Sequence, residues 1–324
     1  MRFLQNIKNF FLSLKRNKWI INFFKIIITV IIFYLLFHNI NIKNILSKIK
    51  YIKIKYLILN ILISLIVTPS LLMWRLKLLF DYNKIKINFF YLLRMHYISL
   101  FFQIIFPSSF ASDAIKIYYL RNKEKISKVS VIVFLSRFLG VFTVILLSAI
   151  FSLIYKDFYK IFSVINISKT LYIKIIFLLF IFLAMILLFI KPFSFFNIKR
   201  ILKSNIFSKI QKIETVYNQK VLLIGIFISI LIQFITAVTL FLYGKSCNID
   251  FTFYKLILYS PLIVLITLLI PSVNGIGVRE FLLYKFFKPE IGNIENLFLI
   301  SFEMLIVIFC ITVVGGILYW LKKK

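Results

Sequence analysis

The sequence contains few acidic residues, few cysteines and few histidines. Its 324 residues include 10 Asp and Glu against 41 Lys and Arg, with 2 Cys and 2 His. Two cysteines are too few for a disulfide framework. No Cys or carboxylate lies at ligand spacing from either His, so neither a metal site nor a cofactor is predicted.

The acidic residues are scattered, and they form no pair of the kind that catalyses group transfer. The sequence also lacks a nucleophile elbow, a phosphate-binding loop and an HExxH motif. No catalytic residues are therefore predicted. This favours a non-enzymatic role, although an enzyme that acts inside the membrane remains an open alternative.

Apolar residues are in excess, at 62% of the chain, and the mean hydropathy is +0.99. Soluble domains average about 45–50% apolar residues and disordered chains have fewer, so both classes are excluded. The net charge of +31 comes from Lys and Arg that lie between apolar blocks. That distribution is typical of polytopic membrane proteins and does not indicate nucleic acid as a partner. We predict a multi-pass protein of the cell membrane.

Eight apolar blocks are each long enough to cross about 30 Å of hydrocarbon. They are Trp19–Phe37, 57–73, 88–106, 129–155, 171–190, 221–243, 252–270 and 296–320. Residues 1–18 place basic and apolar side chains at helical spacing, which predicts a basic interfacial helix. We assign 19–324 to a single transmembrane domain, with an amphipathic basic loop at 191–220.

Two of the blocks end at a proline and continue as a short helix. Pro107 precedes a Ser-rich break and the short helix Ala114–Leu120, and Pro271 precedes a Gly-rich break and Val278–Phe287. If both segments return to the side that they entered from, 23 Lys and Arg are cytoplasmic and 10 are external. If all eight blocks cross, that bias disappears, so the positive-inside rule favours return.

We therefore predict an all-α fold with six full spans and two proline-broken re-entrant hairpins, and with both termini cytoplasmic. Eight full spans remain the alternative. In the first arrangement, the halves 19–155 and 171–320 are inverted repeats, and Pro107 and Pro271 are equivalent helix breaks. Paired breaks of this kind point to the substrate site of a transporter.

Ionisable residues in apolar blocks and Gly residues at the breaks give the candidate binding site, because charges are costly in hydrocarbon. The candidate substrate-binding residues are Asp113, Lys116, Arg137, Asn274, Gly275, Gly277, Arg279, Glu280 and Glu303. Asp113 is interpreted as a helix N-cap, as a residue facing a headgroup, or as both. Lys116 lies on the same helix face and either pairs with Asp113 or holds a phosphate.

The residues after the second break also have structural alternatives. Glu280 suits the positive end of a helix, whereas Arg279 needs another partner, either a ligand or a carboxylate across the bundle. Gly275 and Gly277 permit either close helix packing or close approach of a ligand.

Two arginines of the first half also have alternatives. Arg137 either forms an ion pair with Glu303 or faces a lipid phosphate. Arg75, which follows Trp74, is predicted to be an interface anchor, and His96 to hydrogen-bond between helices.

Both breaks resemble segments of the flippase-like family, the transmembrane domain of lysylphosphatidylglycerol synthetase/flippase proteins. Residues 270–280 are similar to its P-x-S-x-N-G-x-G-x-R-E segment, with the proline one position later. Residues 107–113 resemble its P-x-x-x-G-G-D stretch, with Ala111 and Ser112 in place of the two glycines. Residues 136–140 resemble its Arg-x-x-Gly element, and Arg75 fits the Arg that ends its second span.

The resemblance implies translocation of an anionic or aminoacylated phospholipid, or of a polyprenyl-linked headgroup, between leaflets. The alternative is a membrane subunit that serves a partner aminoacyl- or glycosyltransferase. The chain ends soon after its last apolar block. We therefore expect a stand-alone member without the soluble aminoacyl-transferase domain, for which a synthase name would not describe the activity.

Overall fold

The computed structural model describes residues 30, 34–36, 42–105, 109–154, 218–270, 272 and 275–321. Within these ranges the chain is helical and forms no strands. Several predicted features lie wholly or almost wholly outside the described residues: the helix at 1–18, the first block, the block at 171–190, the loop at 191–220, Pro107, Pro271 and Asn274.

The described residues form nine helices, four of them long and apolar enough to cross a membrane. In chain order these are α1 (Ile42–Ile49), α2 (Ile54–Tyr82), α3 (Phe89–Ile105), α4 (Ser109–Leu120), α5 (Ile126–Ile154), α6 (Gln219–Ser246), α7 (Phe253–Leu269), α8 (Val278–Ile291) and α9 (Ile294–Trp320). The four long helices are α2, α5, α6 and α9. Each extends about 40 Å at 1.5 Å per residue, which exceeds the hydrocarbon thickness. The all-helical, polytopic prediction is confirmed.

The outer face of α9 is apolar along the length of the helix. Its exposed large apolar residues recur every three or four positions, at Phe302, Leu305, Phe309, Val313, Ile317 and Trp320. This spacing places them in one continuous stripe along the helix. An apolar stripe of this length is stable when it is covered by lipid chains.

The buried core has two main parts, one in each half of the chain. The first includes Leu79 of α2, Leu92 of α3 and Ile132 of α5. The second includes Leu256 of α7 and Phe287 of α8, together with residues of α6 and α9. Each half therefore has a buried core of its own, and α6 contributes residues to both.

Helices α3 and α4 lie antiparallel. The Ser99 and Ser112 hydroxyl oxygens are 2.9 Å apart. The Tyr91 hydroxyl donates to the Tyr119 carbonyl at 3.1 Å. Helix α4 therefore returns to the end of the bundle where α3 begins. It starts at Ser109, five residues earlier than the short helix predicted at Ala114–Leu120.

Helices α7 and α8 form a second antiparallel pair. Lys255 donates to Glu290 at 2.6 Å near the open end of the pair, and the Tyr259 ring stacks on Phe286 with centroids 5.3 Å apart. Helix α8 bends at Phe287, ahead of the proline at position 289. Both pairs therefore consist of a 17-residue helix and a shorter helix that returns along it.

The two hairpins open toward opposite ends of the bundle. Arg94, near the start of α3, donates to the Leu318 carbonyl at 3.3 Å, which places the open end of the first hairpin at the C-terminal end of α9. Helix α8 ends at Ile291, directly before α9 begins at Ile294. The first helix of each hairpin packs on the last long helix of the other half, α3 on α9 and α7 on α5.

Helix α2 contains a π-helical turn, Ile63–Val67, just before Pro69. Pro69 has no N–H, so the Leu65 carbonyl lacks its usual α-helical donor. Tyr97 of α3 donates its hydroxyl to that carbonyl. An unsatisfied carbonyl in hydrocarbon costs several kcal/mol, so this bond stabilises the irregular stretch of α2.

Gly315 marks the close approach of α9 to α3. A Cβ at Gly315 would lie 2.2 Å from the Tyr97 carbonyl oxygen, whereas a Cβ at Gly316 would meet the Phe101 ring at 3.2 Å. We expect Gly315→Ala to destabilise the protein by about 1–3 kcal/mol, the usual range for overpacking. Gly316→Ala is the matched control and should have a much smaller effect. Melting temperatures in one detergent measure the difference, and equal shifts would contradict the close approach.

Candidate functional site

A cavity of about 230 Å³ lies among α2, α3, α4 and α5. Its polar lining residues are Arg75, His96, Gln103, Ser112, Asp113, Lys116, Ser136 and Arg137, set among apolar side chains of the same helices. Three cationic groups thus share this space with a single carboxylate. The arrangement is suited to holding an anion.

Asp113 lies between two of the cations. Its Oδ2 is 2.5 Å from Arg137 Nη1, and its Oδ1 is 3.4 Å from Lys116 Nζ. Asp113 is the fifth residue of α4, so the predicted N-cap role is wrong. The pairing of Lys116 with Asp113 is confirmed, and Arg137 joins the same carboxylate from α5.

Arg75 supplies the third cation and is held by neutral groups. Its side chain donates to Ser229 Oγ at 2.7 Å and to Ser136 Oγ at 3.3 Å. No carboxylate among the described residues lies within 4.0 Å of it. Gly140 leaves it room, because a Cβ there would lie 3.0 Å from Arg75 Nη1.

The predicted role of Arg75 as an interface anchor is wrong. Arg75 is 6% exposed, whereas the neighbouring Trp74 is 55% exposed and faces outward. Helical spacing places Arg75 on the same face as Leu79, which is buried in the first core. That spacing is the signal that identifies Arg75 as an inward-facing charge.

His96 lines the same cavity from α3. It is buried, and its Nδ1 has no hydrogen-bond partner among the described residues. A buried ring nitrogen that faces a cavity without a partner is costly unless water or a ligand group reaches it. His96 therefore adds a polar contact point beside the three cations.

The residues after the second break form a self-contained turn. Glu280 accepts from the Gly277 N–H at 2.6 Å and from Arg279 Nη2 at 2.8 Å. Gly275 and Gly277 have φ angles of +79° and +86°, which favour glycine. A Cβ at Gly275 would lie 2.3 Å from Thr267 Cγ2, so this glycine serves close packing of α7.

This turn resolves two of the alternatives from the sequence. Glu280 caps the start of α8, as its position predicts. Arg279 pairs with the adjacent Glu280, so the predicted carboxylate across the bundle is wrong, whereas the predicted contact with a ligand stays a prediction. None of the described residues after the second break lines the cavity.

Glu303 is fully buried on α9, and its Oε2 lies within hydrogen-bond distance of the Ser246 hydroxyl. Its Oε1 has no hydrogen-bond partner among the described residues. The predicted ion pair between Arg137 and Glu303 is wrong, because Arg137 pairs with Asp113 instead.

Of the predicted site residues, the structure therefore brings together Asp113, Lys116 and Arg137 in the cavity.

Comparison with known proteins places these observations in a family. The sequence model of the family described as "Lysylphosphatidylglycerol synthase TM region" matches residues 22–293 of the chain. No curated protein matches it significantly. The matched region includes every cavity-lining residue.

Proposed function

Because the chain belongs to the lysylphosphatidylglycerol synthase TM region family, we propose that it moves a lipid between the two leaflets of a membrane. The transported lipid carries an anionic headgroup, as a phospholipid, an aminoacylated phospholipid or a polyprenyl-linked lipid. The observation that carries the proposal is the cavity with three cations, of which Arg75 bonds to hydroxyl groups and to no carboxylate among the described residues.

The charge balance of the cavity favours a phosphate. Asp113 offsets one of the cations, and two positive charges remain in largely apolar surroundings. Buried charges of one sign are costly unless a counter-charge is present. A phosphodiester supplies that counter-charge and accepts hydrogen bonds from guanidinium groups in a bidentate manner. The acyl chains of the lipid stay in the bilayer beside the helices.

The depth of the cavity fits a headgroup that enters from one leaflet. Arg75 and Asp113 each lie seven residues before the end of their helices, at Tyr82 and Leu120. That distance is about 10 Å along a helix. The loops at this end, 83–88 and 121–125, are rich in Lys and Arg. The positive-inside rule assigns them to the cytoplasm of a cell-membrane protein, together with both termini.

The hairpins support the re-entrant arrangement over eight full spans. Helices α4 and α8 have 12 and 14 residues, or about 18–21 Å, which is too short to cross the hydrocarbon. Each returns along its partner, and the two pairs open to opposite ends. We therefore assign inverted repeats, with the closed ends of both hairpins inside the membrane, as in many transporters.

The test is lipid movement in liposomes that contain the purified chain. Phosphatidylglycerol, its lysyl form and a polyprenyl-phosphate sugar are each placed in one leaflet, and their appearance in the other is measured. We expect at least one of them to move faster than phosphatidylcholine in the same vesicles. Protein-free liposomes give the background.

If well-folded protein moves no lipid, the translocator proposal fails. Partner capture with a transferase, followed by an activity assay on the lipid acceptor, then tests the subunit alternative. If all lipids move equally, including phosphatidylcholine, the cationic cavity does not select the headgroup and its proposed role is overturned.

A further inference from the structure

Glu303 is a buried carboxyl group that pairs with no cation in the described part of the chain. It lies about a third of the way along α9, a helix long enough to cross a membrane, and it is 0% exposed. No Lys or Arg within the described residues lies within 4.0 Å of it. An ionised carboxylate in such surroundings would carry a large desolvation cost.

The hydrogen bonds of Ser246 indicate that Glu303 avoids this desolvation cost by carrying a proton. The Ser246 hydroxyl lies within hydrogen-bond distance of both the Tyr243 carbonyl, at 2.8 Å, and Glu303 Oε2. A serine hydroxyl has one hydrogen to donate and also accepts. If Ser246 donates to the Tyr243 carbonyl, the hydrogen between Ser246 and Glu303 belongs to the carboxyl. A protonated Glu303 that donates to Ser246 then makes both hydrogen bonds of the Ser246 hydroxyl possible at once, and it leaves Oε1 uncharged.

The titratable neighbours do not supply a counter-charge. From α6, Tyr243 and the following Cys247 interact with Glu303. On α8, Arg279 is paired with Glu280. Five basic side chains described on α1, α2 and α3 have contacts elsewhere. These are Lys48 with Asn293 and Asn296, Lys55 with Tyr56, Arg75 with Ser136 and Ser229, Lys77 with Asp81, and Arg94 with Leu318.

We propose that Glu303 is a membrane-embedded proton site that couples lipid movement to a proton. The coupling rests on the proposed function, whereas the proton site does not. In the conformation described, the carboxyl is closed off and protonated. When the bundle opens toward water on one side, the O–H bond of Glu303 breaks and its proton passes to water. A proton from the other side then restores the O–H bond before the site closes again.

The charges also balance in such a cycle. A phosphodiester headgroup with one negative charge and a proton that moves in the same direction carry no net charge across the membrane. Glu303 lies outside the set of residues that line the cavity. The two charges therefore have separate sites, one in each half of the chain, and the described residues place no direct contact between them.

The protonation state of Glu303 is tested by infrared difference spectroscopy of the full chain in lipid. The sample is titrated with acid and base. We expect a protonated-carboxyl stretch at neutral pH that is absent from Glu303→Gln and disappears at alkaline pH in wild type. Ser246→Ala should shift this band, because it removes the hydrogen-bond partner. Glu295→Gln, at the start of the same helix, is the matched control and should retain the band. Absence of the band from well-folded wild type would overturn the proton site.

The coupling is tested with a pH gradient across the same liposomes. We expect the gradient to drive net lipid movement in wild type, and Glu303→Gln to retain downhill movement but lose the response to the gradient. If wild type moves lipid with no response, the coupling is overturned. If wild type moves no lipid, the proposed function fails, and the infrared result decides the proton site independently.

Discussion

Replacement of Arg75 by methionine is expected to slow headgroup-selective lipid movement by about 10- to 100-fold. A hydrogen bond between charged partners in apolar surroundings contributes about 1.5–3 kcal/mol, and each 1.4 kcal/mol is a factor of ten. Within the described part of the chain, Arg75 is the cavity cation that pairs with no carboxylate, so its charge is available to the ligand. Arg75→Lys keeps the charge but not the planar fork, and should retain part of the activity.

The fold should survive this change. Ser229 also donates to the Gly225 carbonyl at 2.7 Å, so it keeps a partner without Arg75. Lys77→Met is the matched control, because Lys77 lies on the same helix and forms a surface ion pair with Asp81. Surface pairs of this kind contribute little. Equal rates for Arg75→Met and Lys77→Met would show that the cavity does not bind the headgroup.

The second prediction concerns the ion pair between Asp113 and Arg137, whose atoms are 2.5 Å apart. Removal of Asp113 leaves Arg137 without this carboxylate, and removal of Arg137 leaves Asp113 with its longer contact to Lys116. Breaking a buried pair costs about 3–5 kcal/mol. We expect Asp113→Leu and Arg137→Leu each to lower the melting temperature markedly. The double variant should be more stable than the Asp113→Leu single variant, because it leaves one cation fewer without a counter-charge.

Stability and transport separate the two roles of this pair. The double variant should fold yet move anionic lipid at least about tenfold more slowly than wild type, since it lacks a cavity cation. Lys116→Leu provides a comparison, because its contact with Asp113 is longer, at 3.4 Å. Additive losses of stability from the two single variants would mean that the pair is not energetically coupled.

Hydropathy and proline positions predicted much of the fold. Runs of apolar residues have a fixed length when they cross hydrocarbon, so the four long helices were identified from composition alone. The positions of the helix termini were predicted less accurately. Helix α2 extends to Tyr82, well beyond the block 57–73, because Arg75 and Lys77 end the apolar run while the helix continues. A charge ends a hydropathy window but does not end a helix.

The site was predicted less completely, since pairing depends on helix rotation. The sequence places Arg137 and Glu303 at comparable depths in two spans, which made an ion pair attractive. The choice between Asp113 and Glu303 as the partner depends on which helix lies beside α5, and periodicity within one helix does not determine that. Arg75 was misassigned for a related reason. Its neighbour Trp74 suggested the interface, but adjacent residues on a helix point in different directions.

Tyr97 of α3 contacts both α2 and α9. Its hydroxyl is bonded to the Leu65 carbonyl in the π-helical stretch of α2, and its own carbonyl faces Gly315 of α9. One residue of α3 therefore links two long helices from different halves of the chain. If the α3–α4 hairpin tilts, α2 has to bend with it or this hydrogen bond has to break first. We expect the loss of that hydrogen bond to add to the energy barrier to such a tilt.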